Sequence, residues 1–335
     1  MTSSDTRRIR SRRILILAGL AAVVLGISVL LGRYPGPSLT PLSAIENDAL
    51  ARDLIIHIRI PRVAAAFLLG AALSAAGAVF QTVFRNPLVD AGFLGVSQGA
   101  AFGASIAIVF ASGNAWAIQG GAALFAFLGL GLSYALASRI RAGDDILRLV
   151  LAGIVVGAFY AAGTGIMKYV ADPQKQLPDI TYWMLGGLWG ITGRDVLEML
   201  PVTLLGLAYM MAVRWRLNLL AMKDETAFSM GASPGKERLA VLIVAVAVTA
   251  IGVAKAGQIA WVGLIVPHIC RRFVGSEMRV LLPASILLGG IFVLVCDDLA
   301  RTFLSGEIPL GILTSLLGTA LFLALLLKRN IRGIG

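Results

Sequence analysis

Apolar residues run in blocks of close to the roughly 20 residues that cross a bilayer as a helix. They lie at about 14–32, 61–83, 91–111, 116–138, 146–168, 195–213, 238–256, 258–274, 280–303 and 308–327. Ten such blocks predict an all-α polytopic membrane protein, and they leave no room for a soluble domain. The chain therefore reads as one transmembrane domain over 1–335. The period-two alternation of a membrane β-barrel is missing. The first block follows RRIRSRR and lacks a small-x-small cleavage site before GRYPG, which favours an uncleaved first span over 14–32.

Polar segments between the blocks carry the next level of organisation. Residues 33–60 open with a Pro-rich loop, RYPGPSLTPLSA, and continue as ENDALARDLIIHIRIPR, an amphipathic surface helix leading into the second span. Residues 169–194 hold Pro173 and Pro178 as helix breakers, with Tyr182, Trp183 and Trp189 as an interfacial aromatic belt. The segment 214–237 contains DETAFSMG, with acids at a helix start and a glycine at its end, the pattern of a short capped helix. It lacks the Lys, Arg and large apolar side chains of a lipid anchor, so docking of a soluble partner is favoured over anchoring.

Composition agrees with a membrane protein: 58% of residues are hydrophobic and 14% charged, against about a quarter charged in soluble domains. Among the 38 glycines, Gly95, Gly99 and Gly103, and Gly153 with Gly157, repeat at the four-residue spacing that lets helix backbones approach. IPRVAAAFLLGAALSAAGAVF and ERLAVLIVAVAVTAIGVAKAG open two four-helix groups from opposite sides, as in an inverted repeat.

Charge sets the topology. With the amino terminus inside, 20 of the 29 basic residues fall on inside segments, which predicts cytoplasmic termini in a bacterial inner membrane. The net charge of +11 is then a topology signal, and nucleic acid is excluded as a partner. Cys270 and Cys296 fall in different spans and read as free buried thiols. His57 and His268 are too few for a histidine-based metal site, and no phosphate-binding loop is present.

Several motifs in order resemble the permease subunits of iron-chelate, haem and cobalamin ABC importers, the FecCD type. They are RIPR at 59–62, RNPLVDAGFLGVSQGA at 85–100, LAGI at 151–154, YWMLGGLWG at 182–190, LNLLAMKDETAFSMGAS at 217–233, WVGLIVPHICRRFVG at 261–275 and DDLARTFLSGEIPLGILTSLLG at 297–318. The resemblance implies a type II importer permease: a dimer of ten-helix subunits, as a homodimer or with a paralogous permease, and a pathway along the dimer axis. It implies two cytoplasmic ABC ATPase subunits that use the ATP, an extracytoplasmic substrate-binding protein, and no enzyme activity, metal or cofactor on this chain.

Residue by residue, the resemblance implies that Arg59, Arg62 and Arg301 face outward to carboxylates of the binding protein, a pairing that suits a bidentate guanidinium. Anchoring to lipid headgroups is their other reading, and for Arg301 a third is internal pairing with Asp297 and Asp298. Asn86, Pro87 and Leu88 match one cytoplasmic gate loop, and Asp144, Asp145, Ile146 and Leu147 a second, each also readable as an ordinary turn. Asp224, Glu225, Thr226, Ala227, Phe228, Ser229, Met230 and Gly231 correspond to the coupling helix that fits a cleft on the ATPase. In WVGLIVPHICRR, Pro267 bends a span and His268 satisfies a neighbouring carbonyl.

Departures from the family pattern matter too. Lys255 and Gln258 stand where the family has a small or apolar residue and a proline. A charge within a span marks a functional site or snorkels to the interface, and both readings of Lys255 stay open. Lys168 reads as snorkelling. The cargo expected from family frequency is a ferric siderophore or related iron complex, with haem, cobalamin and molybdate as alternatives. A pathway lined by both lysines would favour an oxyanion. The rival class is an ion-gradient-driven secondary transporter, which broken helices and inverted repeats also suit.

Overall fold

A computed structural model describes residues 3–36, 38–141, 145–304 and 306–330. Helix α1 (Ser3–Leu30) leads into a two-residue antiparallel ladder, β1 (Leu31–Gly32) with β2 (Ser38–Leu39). Helices α2 (Leu42–Asn47) and α3 (Ala49–Leu54) follow, and one π-helical turn at Ile55–Arg59 runs without a break into α4 (Ile60–Val83). The expected surface helix is thus a continuation of the second span. A 3-10 turn at Ala91–Leu94 precedes α5 (Val96–Phe110), then α6 (Ala115–Ala137) and α7 (Asp145–Val170). The remaining helices are α8 (Gln176–Leu185), α9 (Gly193–Leu220), α10 (Asp224–Ser229), α11 (Pro234–Ala256), α12 (Val262–Val274), α13 (Met278–Thr302) and α14 (Leu310–Asn330).

Among the described residues, seven helical stretches are long and apolar enough to cross a membrane: those of α1, α3–α4, α6, α7, α9, α11 and α13. The expected span 308–327 falls on α14, and the two others fall on shorter helices. The segment 91–111 breaks at Gly95, whose φ of +69° leaves only 15 residues for α5. The segment 258–274 begins as irregular chain and turns at Trp261, with φ of +72°, before the 13 residues of α12. Pro178 lies within α8 and does not break it.

The contacts carry the inverted repeat. Helix α4 packs on α13 and α12 as α11 packs on α6 and α5. Within the groups, α5 meets α6 and α7, and α12 meets α13 and α14; α6 meets α7 as α13 meets α14. Exchanging α4–α7 with α11–α14 preserves this pattern, with α4 and α11 in contact at the centre. Both begin with proline in the first turn, where a missing N–H costs nothing.

Between apolar helices in lipid, close packing and not water drives association. Gly70 lies against the Gly289 carbonyl, where an added Cβ would sit 2.1 Å from the oxygen, and Gly103 meets the Gly121 carbonyl at the same separation. Gly70→Ala is therefore expected to cost about 1–3 kcal/mol, because backbone on both sides has to part. Gly120, with nothing within 4 Å of its added Cβ, should accept alanine without loss. Thermal unfolding of the two variants in detergent checks the contrast.

Candidate functional site

The ladder end of the bundle gathers three arginines. Arg59 closes the π-helical turn, and its guanidinium donates to the Leu30 carbonyl (3.1 Å), Thr40 Oγ1 (2.7 Å) and the Tyr34 carbonyl (2.8 Å). Arg62, one turn into α4, donates through Nε and Nη2 to Asp297 of α13 at 2.9–3.0 Å. Its Nη1 reaches both oxygens of Glu307 at 2.9 Å. Arg301 donates to the Leu31 and Ser28 carbonyls and to Asp298, whose other oxygen accepts from the Ser28 hydroxyl.

Within this chain the three arginines do not stand free on the surface: Arg59 and Arg62 are each only 7% exposed, and all three donate hydrogen bonds to groups of the same chain. For Arg62, and at 3.7 Å for Arg301, the cause is Asp297, which is fully buried; a carboxylate there needs charged, hydrogen-bonding partners, whereas Arg59 is held by main-chain carbonyls and Thr40. Together the arginines tie α1, the ladder, α4, α13 and the connection to α14.

Lys255 sits in the last turn of α11 with its side chain 3% exposed. Its Nζ lies 2.7 Å from Asp195 Oδ1 and 2.5 Å from Glu198 Oε2, two carboxylates one turn apart on α9. The ammonium also stands 5.5 Å from the centre of the Trp116 ring, and Arg194 lies over that ring at 5.0 Å. Asp195 is held in turn by the capping box with Thr192. Lys255 is thus not a solitary charge: two carboxylates and an aromatic ring surround its ammonium. It does line a cavity of about 480 Å³, together with Asp179, Tyr182, Trp183, Trp189 and Asp195. Lys168 is half-buried in the last turn of α7. The ring of His268, next to Pro267 inside α12, meets that of Phe322 at 6.2 Å, and Cys270 and Cys296 are free and buried.

At the opposite end, α4 stops at a tight turn. Asn86 Oδ1 accepts from the Leu88 N–H at 2.9 Å, and Asn86, Pro87 and Leu88 are all exposed. Arg85, just before them, has a left-handed φ of +50°. Asp90 closes this connection by accepting from the Gly92 N–H at 2.8 Å, while burial pushes its carboxyl pKa upward. In the second loop, Asp145 opens α7 and pairs with Arg148 at 3.5 Å, Ile146 is half-buried and Leu147 exposed; Asp144 lies outside the described residues.

Helix α10 forms over six of the eight expected residues, and Met230 and Gly231 (φ +84°) end it. Ala227 is buried against Leu219 and Ala232. Glu225, Thr226, Phe228, Ser229 and Met230 are exposed, Phe228 at 72%. Asp224, at the start of the helix, keeps its side chain 42% exposed while its carboxylate pairs with Arg85 (2.5 Å) and Arg238 (2.8 Å). Desolvation works to raise the Asp224 pKa, but hydrogen bonds and charges of Arg238 and Arg85 outweigh it and hold the carboxyl below its ordinary range. The stabilisation is present above the ordinary carboxylate pKa and is lost as pH falls through the depressed value.

Sequence comparison covers nearly the whole molecule. The model of the FecCD transport family matches residues 16–328. The iron chelatin transport system permease protein of Helicobacter pylori is 37% identical over 324 residues, 92% of this chain and 96% of that one. The molybdate import system permease protein MolB of Haemophilus influenzae is 33% identical over 321 residues, 94% of each chain. A metal-chelate type ABC transporter solved in an inward-facing conformation superposes with a TM-score of 0.88 at 32% identity, covering 95% of this chain and 99% of that one. A family model that matches residues 16–328, together with identities above 30% along nearly the whole chain, places this multi-pass membrane chain in the FecCD transport family of ABC importer permeases.

Proposed function

We propose that the chain is the translocation subunit of a binding-protein-dependent importer that brings a metal chelate, foremost a ferric siderophore or related iron complex, into the cytoplasm. The chain itself hydrolyses nothing; a separate pair of ABC ATPase subunits uses the ATP. The observation that carries this reading is α10, a short helix outside the spans with Phe228 and Met230 exposed, placed where the basic residues gather. Positive charge marks the cytoplasmic side, so α10, the two gate loops and both termini lie inside, and the ladder end meets the binding protein. A second copy, or a paralogous permease, completes the pathway.

The comparisons leave the ion-gradient reading without support. The pairing of Lys255 with Asp195 and Glu198 supports the iron complex over an oxyanion, since the lysine's charge is balanced within the chain. The test is uptake into proteoliposomes holding the permease, its ATPase and a loaded binding protein. Ferric chelate is expected to accumulate only with ATP and the binding protein, and haem, cobalamin and molybdate far less. Uptake by the permease alone would overturn the assignment, and preference for another cargo would replace the iron complex.

A further inference from the structure

We infer that Arg85, Asp224 and Arg238 form a latch that carries movement of α10 into the gate loop, with Arg85 as its positioning residue. The inference deepens the proposed function and rests on it. Three elements meet at one carboxylate. Asp224 is the first residue of α10, Arg85 is the residue immediately before the Asn86-Pro87-Leu88 turn, and Arg238 lies in the early part of α11. Asp224 Oδ1 accepts from Arg85 Nη2 at 2.5 Å and from Arg238 Nη2 at 2.8 Å.

The two halves of the latch differ in depth. The Arg238 side chain is 5% exposed and fixed in the bundle, whereas that of Arg85 is 27% exposed at the rim. Helix α10 is otherwise seated on a small cluster, Leu219, Ala227 and Ala232, separate from the main core. A helix seated that lightly can shift as a unit when a partner grips its exposed face. Arg85 then follows the carboxylate or loses it, and either event alters the turn beside it. Its backbone favours such a response, since a left-handed, non-glycine residue persists only while its surroundings hold it there.

Arg85→Asn tests this in the reconstituted complex, because asparagine tolerates the left-handed backbone and removes the charged group that reaches Asp224. The variant is expected to keep its thermal midpoint and its ATP hydrolysis, while cargo imported per ATP falls about tenfold, the scale of one charge-assisted hydrogen bond. Arg85→Lys should restore most of that ratio, and Arg85→Glu, which sets two carboxylates face to face, should lower it further. A purely structural role predicts a lowered midpoint with the import-to-hydrolysis ratio intact, and that result overturns the latch. So does a ratio for Arg85→Asn equal to that of the unsubstituted protein. The unsubstituted complex in the same assay tests the functional reading separately: without ATP-driven import there, both ideas fall.

Discussion

Arg62→Leu is expected to cost the permease about 3–5 kcal/mol of stability, enough to remove most folded protein from the membrane. Asp297 is fully buried, and Arg62 meets both its oxygens, with Arg301 standing farther off at 3.7 Å. Deleting one partner of such a pair leaves a charge in an apolar bundle, where the desolvation cost is no longer offset. Glu307 is the lesser concern, since its side chain is 42% exposed and water can replace the guanidinium. Arg62→Lys should recover only part of the loss, because a single ammonium point lacks the separate Nε, Nη1 and Nη2 donors by which Arg62 grips Asp297 bidentately and spans to Glu307. Arg62→Leu combined with Asp297→Leu should be more stable than Arg62→Leu alone, as apolar groups replace both members of the pair. Thermal unfolding of the set in detergent decides it; a double variant no better than the single one would mean that Asp297 is not the group left stranded.

The order of the fold was legible because hydropathy is summed over whole helices, and single errors average out over about 20 residues. The capped helix at 224–229 was legible because its signals are local, acids at one end and a glycine after the other. Breaks within spans were harder. Trp261 adopts φ of +72° without the glycine that usually announces it, so 258–274 read as one span.

Buried charge was least legible, because its partners are far apart in sequence. Asp195 and Glu198 lie 60 and 57 residues before Lys255, and Asp297 lies 235 after Arg62. Local spacing exposes one case: Asp297 and Asp298 stand four and three residues before Arg301, within reach on one helix face, and the internal pairing open to Arg301 is the one that forms. For Asp224, sequence placed the residue correctly on its helix but could not say that its carboxylate faces Arg238, fourteen residues on. The family motif marks where a helix is. Which side chains face a partner is decided by packing.

Phe228→Asp is expected to abolish functional capture of the ATPase while leaving the permease folded. Phe228 is 72% exposed and Met230 51%, on a helix whose opposite side is anchored by fully buried Ala227. An aromatic ring held in water gains roughly 2 kcal/mol when a partner covers it, and such residues dominate interface energies. Introducing a carboxylate removes that gain and adds a charge to desolvate, so the permease–ATPase affinity should fall by about two orders of magnitude. Thr226→Ala, also exposed on α10, should change it little, since scattered polar contacts at an interface carry little energy. Binding of purified ATPase to the permease in detergent gives the affinity, and thermal unfolding confirms that both variants are folded. Should Phe228→Asp bind the ATPase normally yet loosen α10 from anionic vesicles, the helix is a lipid anchor and the ATPase docks elsewhere. Loss of ATPase binding with an unchanged thermal midpoint instead makes the exposed face of α10 the place where hydrolysis is felt by the permease.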